Sequence, residues 1–266
     1  MDLAVKTLSI FMVLFLMNSA VAAPAAGNGS SRKTVTLITH EAAPWMAEKL
    51  TDQGAIFYAL RKVLEKRNYE LKVIFAPSWI RAKMDAVKNP AIDGYAPIRT
   101  IEHQDVFDFT EVIFESPWSV GERKDKPIPF HNLESLIPFT AGNVQGVELR
   151  PGIDALVKKG FKIEETSTQA NNILKLATGR VDFIFVDKGV YRYMMATEPS
   201  LAPYRDKLQL NPKSIVIEKY KVGLKKAIAK ELVPYLNSSR KELGHYLEEY
   251  FEKLETVPSF VNLATL

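Results

Sequence analysis

The sequence predicts an α/β protein of two similarly built lobes joined by a two-segment hinge, and three observations predict it. Residues 171–187 read NNILKLATGRVDFIFVD. Ile173, Leu174, Leu176 and Ala177 give one apolar face at helical spacing, and Gly179 is a natural stop just past that helix. Phe183, Ile184, Phe185 and Val186 are apolar at every position, which suits a strand covered on both faces in a parallel sheet. A weaker copy of the same order (helix, turn, hydrophobic residue plus Asp, strand) occupies residues 82–99, with Ile92-Asp93 as the pair. Finally, two extended runs, through Trp118 and over 214–222, read as crossings between the lobes.

Taken in order, residues 23–33 are small and polar and read as a disordered lead-in. Residues 35–39 form a strand ending at His40-Glu41. A helix over 55–67 turns Ile56, Leu60, Val63 and Leu64 inward, and 71–75 is the next strand. Ser78 is placed to cap a helix running to Lys88. A strand over 93–98 and a short helix over 100–106 lead into Phe107-Asp-Phe-Thr110 and the first crossing. The proline-rich stretch 124–130 marks the change of lobe. A strand over 138–144 enters Gly142-Asn143, and a helix follows to about Lys159. Residues 161–166 form a strand ahead of the 171–187 unit. After the return crossing the chain is helical, with Leu243, Tyr246, Leu247, Tyr250, Phe251 and Leu254 spaced for burial. The boundaries are lobe 1 over 34–117 and 216–266, and lobe 2 over 118–215.

The 266 residues suffice for two lobes with real cores. Residues 1–22 read as a cleaved secretory signal peptide: Lys6 supplies the basic end, 8–17 is an apolar core too short to span a bilayer, and Ala20-Val-Ala22 is the cleavage pattern. Cysteine is absent, so there is neither a disulfide framework nor a lipid-bearing cysteine. The mature chain is thus expected in the periplasm, soluble and not lipid-anchored. A net charge of +4 comes from scattered basic residues, and no nucleic-acid motif is present, so nucleic acid is not an expected partner.

In open α/β sheets ligands sit outside the carboxyl ends of the strands. Asp187 ends such a strand. It either holds a cationic group in a crevice between the lobes or caps the helix that follows.

Several stretches resemble the extracytoplasmic solute-binding proteins of the polar amino-acid family, family 3, over roughly residues 34–255. Ala43-Pro-Trp45 resembles the Pro-Pro-aromatic loop after the first strand. Pro77-Ser-Trp79-Ile-Arg81-Ala resembles the Pro-Trp-x-Arg-Ala helix opening. Ile92-Asp-Gly with 100–110, the Gly142 turn after Leu133-Glu-Ser-Leu, Gly179-Arg-Val-Asp182 with Asp187, and 219–225 complete the order. The resemblance implies a two-lobed, type II periplasmic-binding-protein-like fold whose hinge closes on a ligand. It further implies that Asp187 holds a ligand α-ammonium, and that backbone N–H groups at Asn143-Val144, opening a helix, help bind the α-carboxylate; Asn143 is alternatively a plain N-cap. The family's carboxylate-binding arginine falls at His103 here. Neutral histidine offers one donor where arginine offers a bidentate fork, so Arg99, with Thr100 beside it, or Arg81 are substitutes. Trp45 and Trp79 are candidate cleft walls, Trp118 is expected as hinge packing, and Glu41 is a cation partner or one exposed loop acid.

The leading function is therefore an exported binding protein, expected monomeric, that closes around a small polar ligand such as an amino acid or related zwitterion. It would hand that ligand to an ABC-type membrane permease. No cofactor or metal is expected, and the chain lacks the phosphate-loop pattern of an ATPase. Two alternatives are an enzyme on the same fold, similar to cyclic amino-acid dehydratases, with His40, Glu41 and His103 as its acid–base candidates, and a sensor presenting its closed form to a membrane receptor.

Overall fold

The computed structural model describes residues 32–254 except 148, 150 and 151. The leader reading of 1–22, most of the lead-in and the stretch 255–266 lie outside the described residues.

The chain opens with β1 (Lys33–Thr39), α1 (Ala55–Glu65), β2 (Tyr69–Phe75), α2 (Trp79–Lys88), β3 (Gly94–Ile98) and β4 (Phe107–Phe109). The long strand β5 (Phe114–Arg123) leads into β6 (Thr140–Val144), α3 (Ile153–Lys158), β7 (Lys162–Thr166), α4 (Gln169–Ala177), β8 (Phe183–Asp187) and α5 (Lys188–Thr197). The chain returns through β9 (Leu208–Lys225) and ends in α6 (Lys226–Ser238) and α7 (Arg240–Lys253).

Pairing repeats itself. β1 pairs in parallel with β2 and β3, and β9 lies antiparallel to β3 and β4, giving the order β2-β1-β3-β9-β4. β6 pairs in parallel with β7 and β8, and β5 lies antiparallel to β8 and β9, giving β7-β6-β8-β5-β9. Each lobe thus has the same strand order. β5 and β9 pair with each other from Phe114↔Tyr220 to Arg123↔Leu208, with register shifts between Trp118 and Gly121. Such irregularities bend a strand pair and sharpen its twist.

The hydrophobic–Asp repeat has the same use in both lobes. Asp93 Oδ2 accepts from the Thr36 N–H at 2.8 Å, and its own N–H donates to the Thr36 carbonyl at 2.8 Å. Asp182 treats Thr140 alike, at 3.0 and 2.9 Å. In each lobe the aspartate pins the entry of the third strand to the first strand, at its middle in β1 and at its start in β6, and Ile92 or Val181 just ahead of it is buried.

β8 shows why an unbroken apolar run was needed. Phe183 and Phe185 point into one core with Val120, Leu136 and Ile153, while Ile184 and Val186 point into another with Ile173, Leu176 and Leu201. Strand side chains alternate between faces, and helices cover both. Burying each such side chain is worth roughly 1.5–3 kcal/mol. In the first lobe α1, α6 and α7 pack Leu60, Val63, Leu232 and Phe251 over one face, and α2 packs Ala82 and Ala86 over the other.

Two sequence expectations are corrected. The helix over 100–106 does not form: His103 has φ 55°, and its carbonyl accepts from both Val106 and Phe107 N–H, closing a turn instead of a helical ladder. No helix opens at Asn143-Val144 either. Both residues lie in β6, and α3 begins at Ile153 behind Gly152, so Asn143 is not an N-cap.

Candidate functional site

The C-terminal ends of β1, β3 and β8, with the middle of β5 and β9, carry a set of polar and aromatic side chains linked by contacts. His40 follows β1, and its ring centroid lies 5.2 Å from that of Trp79, the first residue of α2. Ser78 caps this helix by accepting from the Arg81 N–H, which fixes where Trp79 sits. His40 Nδ1 is buried without a hydrogen-bond partner. Burial, reinforced by the nearby Arg99 charge, pushes the His40 imidazole down to about 4, so it is neutral at pH 7.

Arg99 leaves the end of β3. Its Nη1 donates to Glu218 Oε1 at 2.9 Å, and the two side chains are 13% and 10% exposed. The guanidinium also lies 5.7 Å over the Trp118 ring. Glu218 sits on β9 opposite Ser116 of β5, and Tyr220 opposite Phe114. The Trp118 indole donates to the Tyr220 hydroxyl at 3.1 Å, and Tyr220 stacks on Phe114 at 4.4 Å. Burial, with the Asp187 charge adding to it, pushes the Tyr220 phenol up.

Asp187 is 3% exposed. Its Oδ1 accepts from the Trp45 indole N–H and the Val190 backbone N–H, both at 2.9 Å, and its Oδ2 accepts from the Ser116 hydroxyl. It is the N-cap of α5. Burial raises its carboxyl above the usual range, against the hydrogen bonds from Ser116, Trp45, Val190 and Gly189. The capping role read from the sequence is present, joined by a bond across the lobes that the sequence did not reveal.

The remaining expected residues are scattered. Arg81 is exposed and pairs with Asp85 one helical turn on, at 2.7 Å. Glu41, Thr100 and His103 are exposed, and Glu41 accepts from the Glu48 N–H. Asn143 is buried, its side-chain amide donating to the Val147 carbonyl at 3.1 Å, and Val144 is half-buried. Trp79 and Trp45 are both buried, Trp45 between Phe114 and Phe251. Beyond the β6 turn the lobes touch: Gly146, at φ 79°, comes so near Ile80 of α2 that an added Cβ would lie 3.0 Å from its Cγ1. Ser116, Glu218 and Tyr220 were missed. Their signal is alternation, residues 114, 116 and 118 facing 220, 218 and 216, which reads as ordinary strand patterning until the two crossings pair.

A separate groove of about 720 Å³ opens between residues 112–115 and the α6–α7 junction, lined on one side by the Trp45 ring. Its walls are mainly apolar, with the Arg240–Glu111 pair beside it. The Arg99–Glu218 pair and the His40 Nδ1 that lacks a hydrogen-bond partner do not line that groove. Among the described residues no group of His, Asp and Glu could hold a metal ion, and no helix is long and apolar enough to cross a membrane.

Two lobes of one strand order, joined by a pair of crossing strands, define a two-lobed periplasmic-binding-protein-like fold. No protein-family model and no curated protein matches the chain. Solved structures do. An ancestral arginine-binding protein bound to arginine aligns over 84% of this chain and 98% of its own, at TM-score 0.65 and 20% identity. The ligand-binding core of GluR0 from Nostoc punctiforme, in complex with L-glutamate, aligns over 83% and 98% at 0.62 and 17%. A histidine kinase sensor domain with similarity to periplasmic binding proteins aligns over 85% and 97% at 0.65 and 20%. The shared feature is the fold, and the chain covers almost the whole of each of these proteins.

Proposed function

We propose that the protein is an exported solute-binding protein of family 3, with residues 1–22 as its leader. It closes its lobes on a small polar ligand, an amino acid or related zwitterion, and delivers it to an ABC-type permease. The observation that carries this reading is the shielded Arg99–Glu218 pair on the crossing strand β9, near the neutral His40 imidazole. Charged groups shielded from water are costly unless something pairs with them, and a closing crevice strengthens every such contact. Arg99 is the anion holder in this reading, with Trp79 and Trp118 as walls. Arg81 and His103 are exposed and are the weaker candidates.

The test is a thermal-shift screen against amino acids, their decarboxylated amines and small carboxylates. A ligand at a hundred times its dissociation constant adds about 2.7 kcal/mol. At roughly 2–4 °C per kcal/mol for a chain of this size, that is a shift of several degrees. Silence across the panel defeats the reading. Delivery is tested separately, by loss of labelled-ligand uptake in cells lacking the protein.

The likeness to a histidine kinase sensor domain favours a second reading, in which the closed form signals to a membrane receptor. Cross-linking of the liganded protein in cells separates the two, through capture of a permease or of a receptor.

A further inference from the structure

We infer that the groove between residues 112–115 and the α6–α7 junction is a second binding site, and that it takes a free single-chain fatty acid, carboxylate toward Lys241 and alkyl chain toward Phe251. The site is distinct from the Arg99–Glu218 pair and does not depend on it. At about 720 Å³ the groove falls within the range of small-molecule pockets, about 300–1,000 Å³. Its α7 wall is graded along the helix. Lys241, Gly244, Leu247 and Phe251 follow one another at three- and four-residue spacing, so they share one face. That face is cationic in the first turn and apolar in the last, a span of about 15 Å at 1.5 Å per residue. Trp45 closes the apolar end, its ring 5.1 Å from that of Phe251 and 5.2 Å from that of Phe114 on the opposite wall.

Charge decides the head group. Two cations and one acid line the groove. The acid, Glu115, faces Lys219 at 3.8 Å, and Arg240 pairs with Glu111. Lys241 is exposed and pairs with no acid among the described residues, so a carboxylate at this end meets an uncancelled positive charge. Gly244 keeps the middle open. Glycine weakens a helix interior, yet α7 carries one where an added Cβ would meet no atom within 4 Å. A larger side chain there would stand between the cationic and the apolar ends. Walls on two sides suit a chain lying lengthwise and not a flat membrane surface.

The experiment is isothermal titration of the full chain with dodecanoate and with dodecyltrimethylammonium, each below its micelle-forming concentration. The wild type is expected to bind one dodecanoate, about tenfold more tightly than the cation, and Lys241→Glu to reverse that order. Gly244→Phe fills the groove from an open position on a helix that tolerates side chains better than glycine, so it is expected to fold and to weaken dodecanoate binding about tenfold or more. Equal affinity for the two head groups overturns the inference. So does an unchanged order in Lys241→Glu, or a folded Gly244→Phe that binds as the wild type does. If Gly244→Phe does not fold, the Lys241→Glu arm decides alone. A wild type without saturable binding also overturns it, and a groove already covered by residues 255–266 or by a second copy would give that result.

Discussion

The Trp45 indole N–H donates to Asp187 Oδ1 at 2.9 Å, joining the loop after β1 in one lobe to the N-cap of α5 in the other. Both residues are buried, and Trp45 is wedged between Phe114 and Phe251. The bond sits beside the hinge, because Asp187 is paired with Trp118 of β5. It therefore ties the two lobes beside the crossing strands, while Gly146 and Ile80 form a second contact farther out.

Trp45→Phe keeps most of the ring packing and removes the N–H, leaving a buried carboxylate one donor short. The expected cost is about 1–3 kcal/mol. Thermal unfolding should fall by several degrees, and a variant melting with the wild type would show that the bond contributes nothing.

Gly189→Ala probes how tightly this joint is packed. Near the start of a helix alanine ordinarily gains up to about 1 kcal/mol over glycine. Here the added Cβ would lie 2.9 Å from Trp45 Cζ2 and 3.1 Å from Asp187 Oδ1. A net loss of stability is expected in urea titration, and a net gain would contradict the packing described.

His40 should make the protein acid-sensitive. Its imidazole titrates at about 4 when folded and near 6.5 when unfolded, so between those values the unfolded chain binds more protons. Stability is then full above about pH 6.5 and falls as the pH drops toward 4. Arg99 is the charged group acting on it. Asp187, whose carboxyl is raised, acts in the opposite sense, because the folded state takes up its proton first. The His40 contribution is expected at about 1–3 kcal/mol. Melting curves from pH 7 to 4 should drop less steeply in His40→Gln, and equal slopes would remove His40 as the cause.

The two pinning aspartates give a test of lobe independence. Asp93→Asn and Asp182→Asn each weaken one strand-entry clamp, at about 1 kcal/mol apiece. Against the penalty of burial, the Thr140 N–H and Lys126 hold the Asp182 carboxyl below its usual range, so its contribution is lost as the pH falls through that lowered value. The clamps share no partner, so the double variant should lose the sum of the two. A marked departure from additivity would mean that strain passes between the lobes.

Much of the fold was legible in local sequence because local physics sets it. The apolar run of β8 required cover on both faces, Ser78 announced its helix, and the Ile92-Asp93 and Val181-Asp182 pairs marked the same strand entry in each lobe. Where the local reading failed, backbone geometry outweighed pattern: His103 adopts a left-handed conformation inside an expected helix, and Val144 continues a strand where a helix start was expected.

The site was legible only as a set of candidates. Sequence alone placed Asp187 at the end of a buried strand, as a helix cap or a holder of a cation, and Arg99 just past another strand, since each placement follows from neighbours a few residues away. The tertiary structure decided their partners. Trp45 lies 142 residues from Asp187, Ser116 lies 71 from it, and Glu218 lies 119 from Arg99. Those meetings are made by the pairing of β5 with β9 and by the packing of the two lobes. No local period encodes them, and they fix which carboxylate caps α5 and which pairs with Arg99.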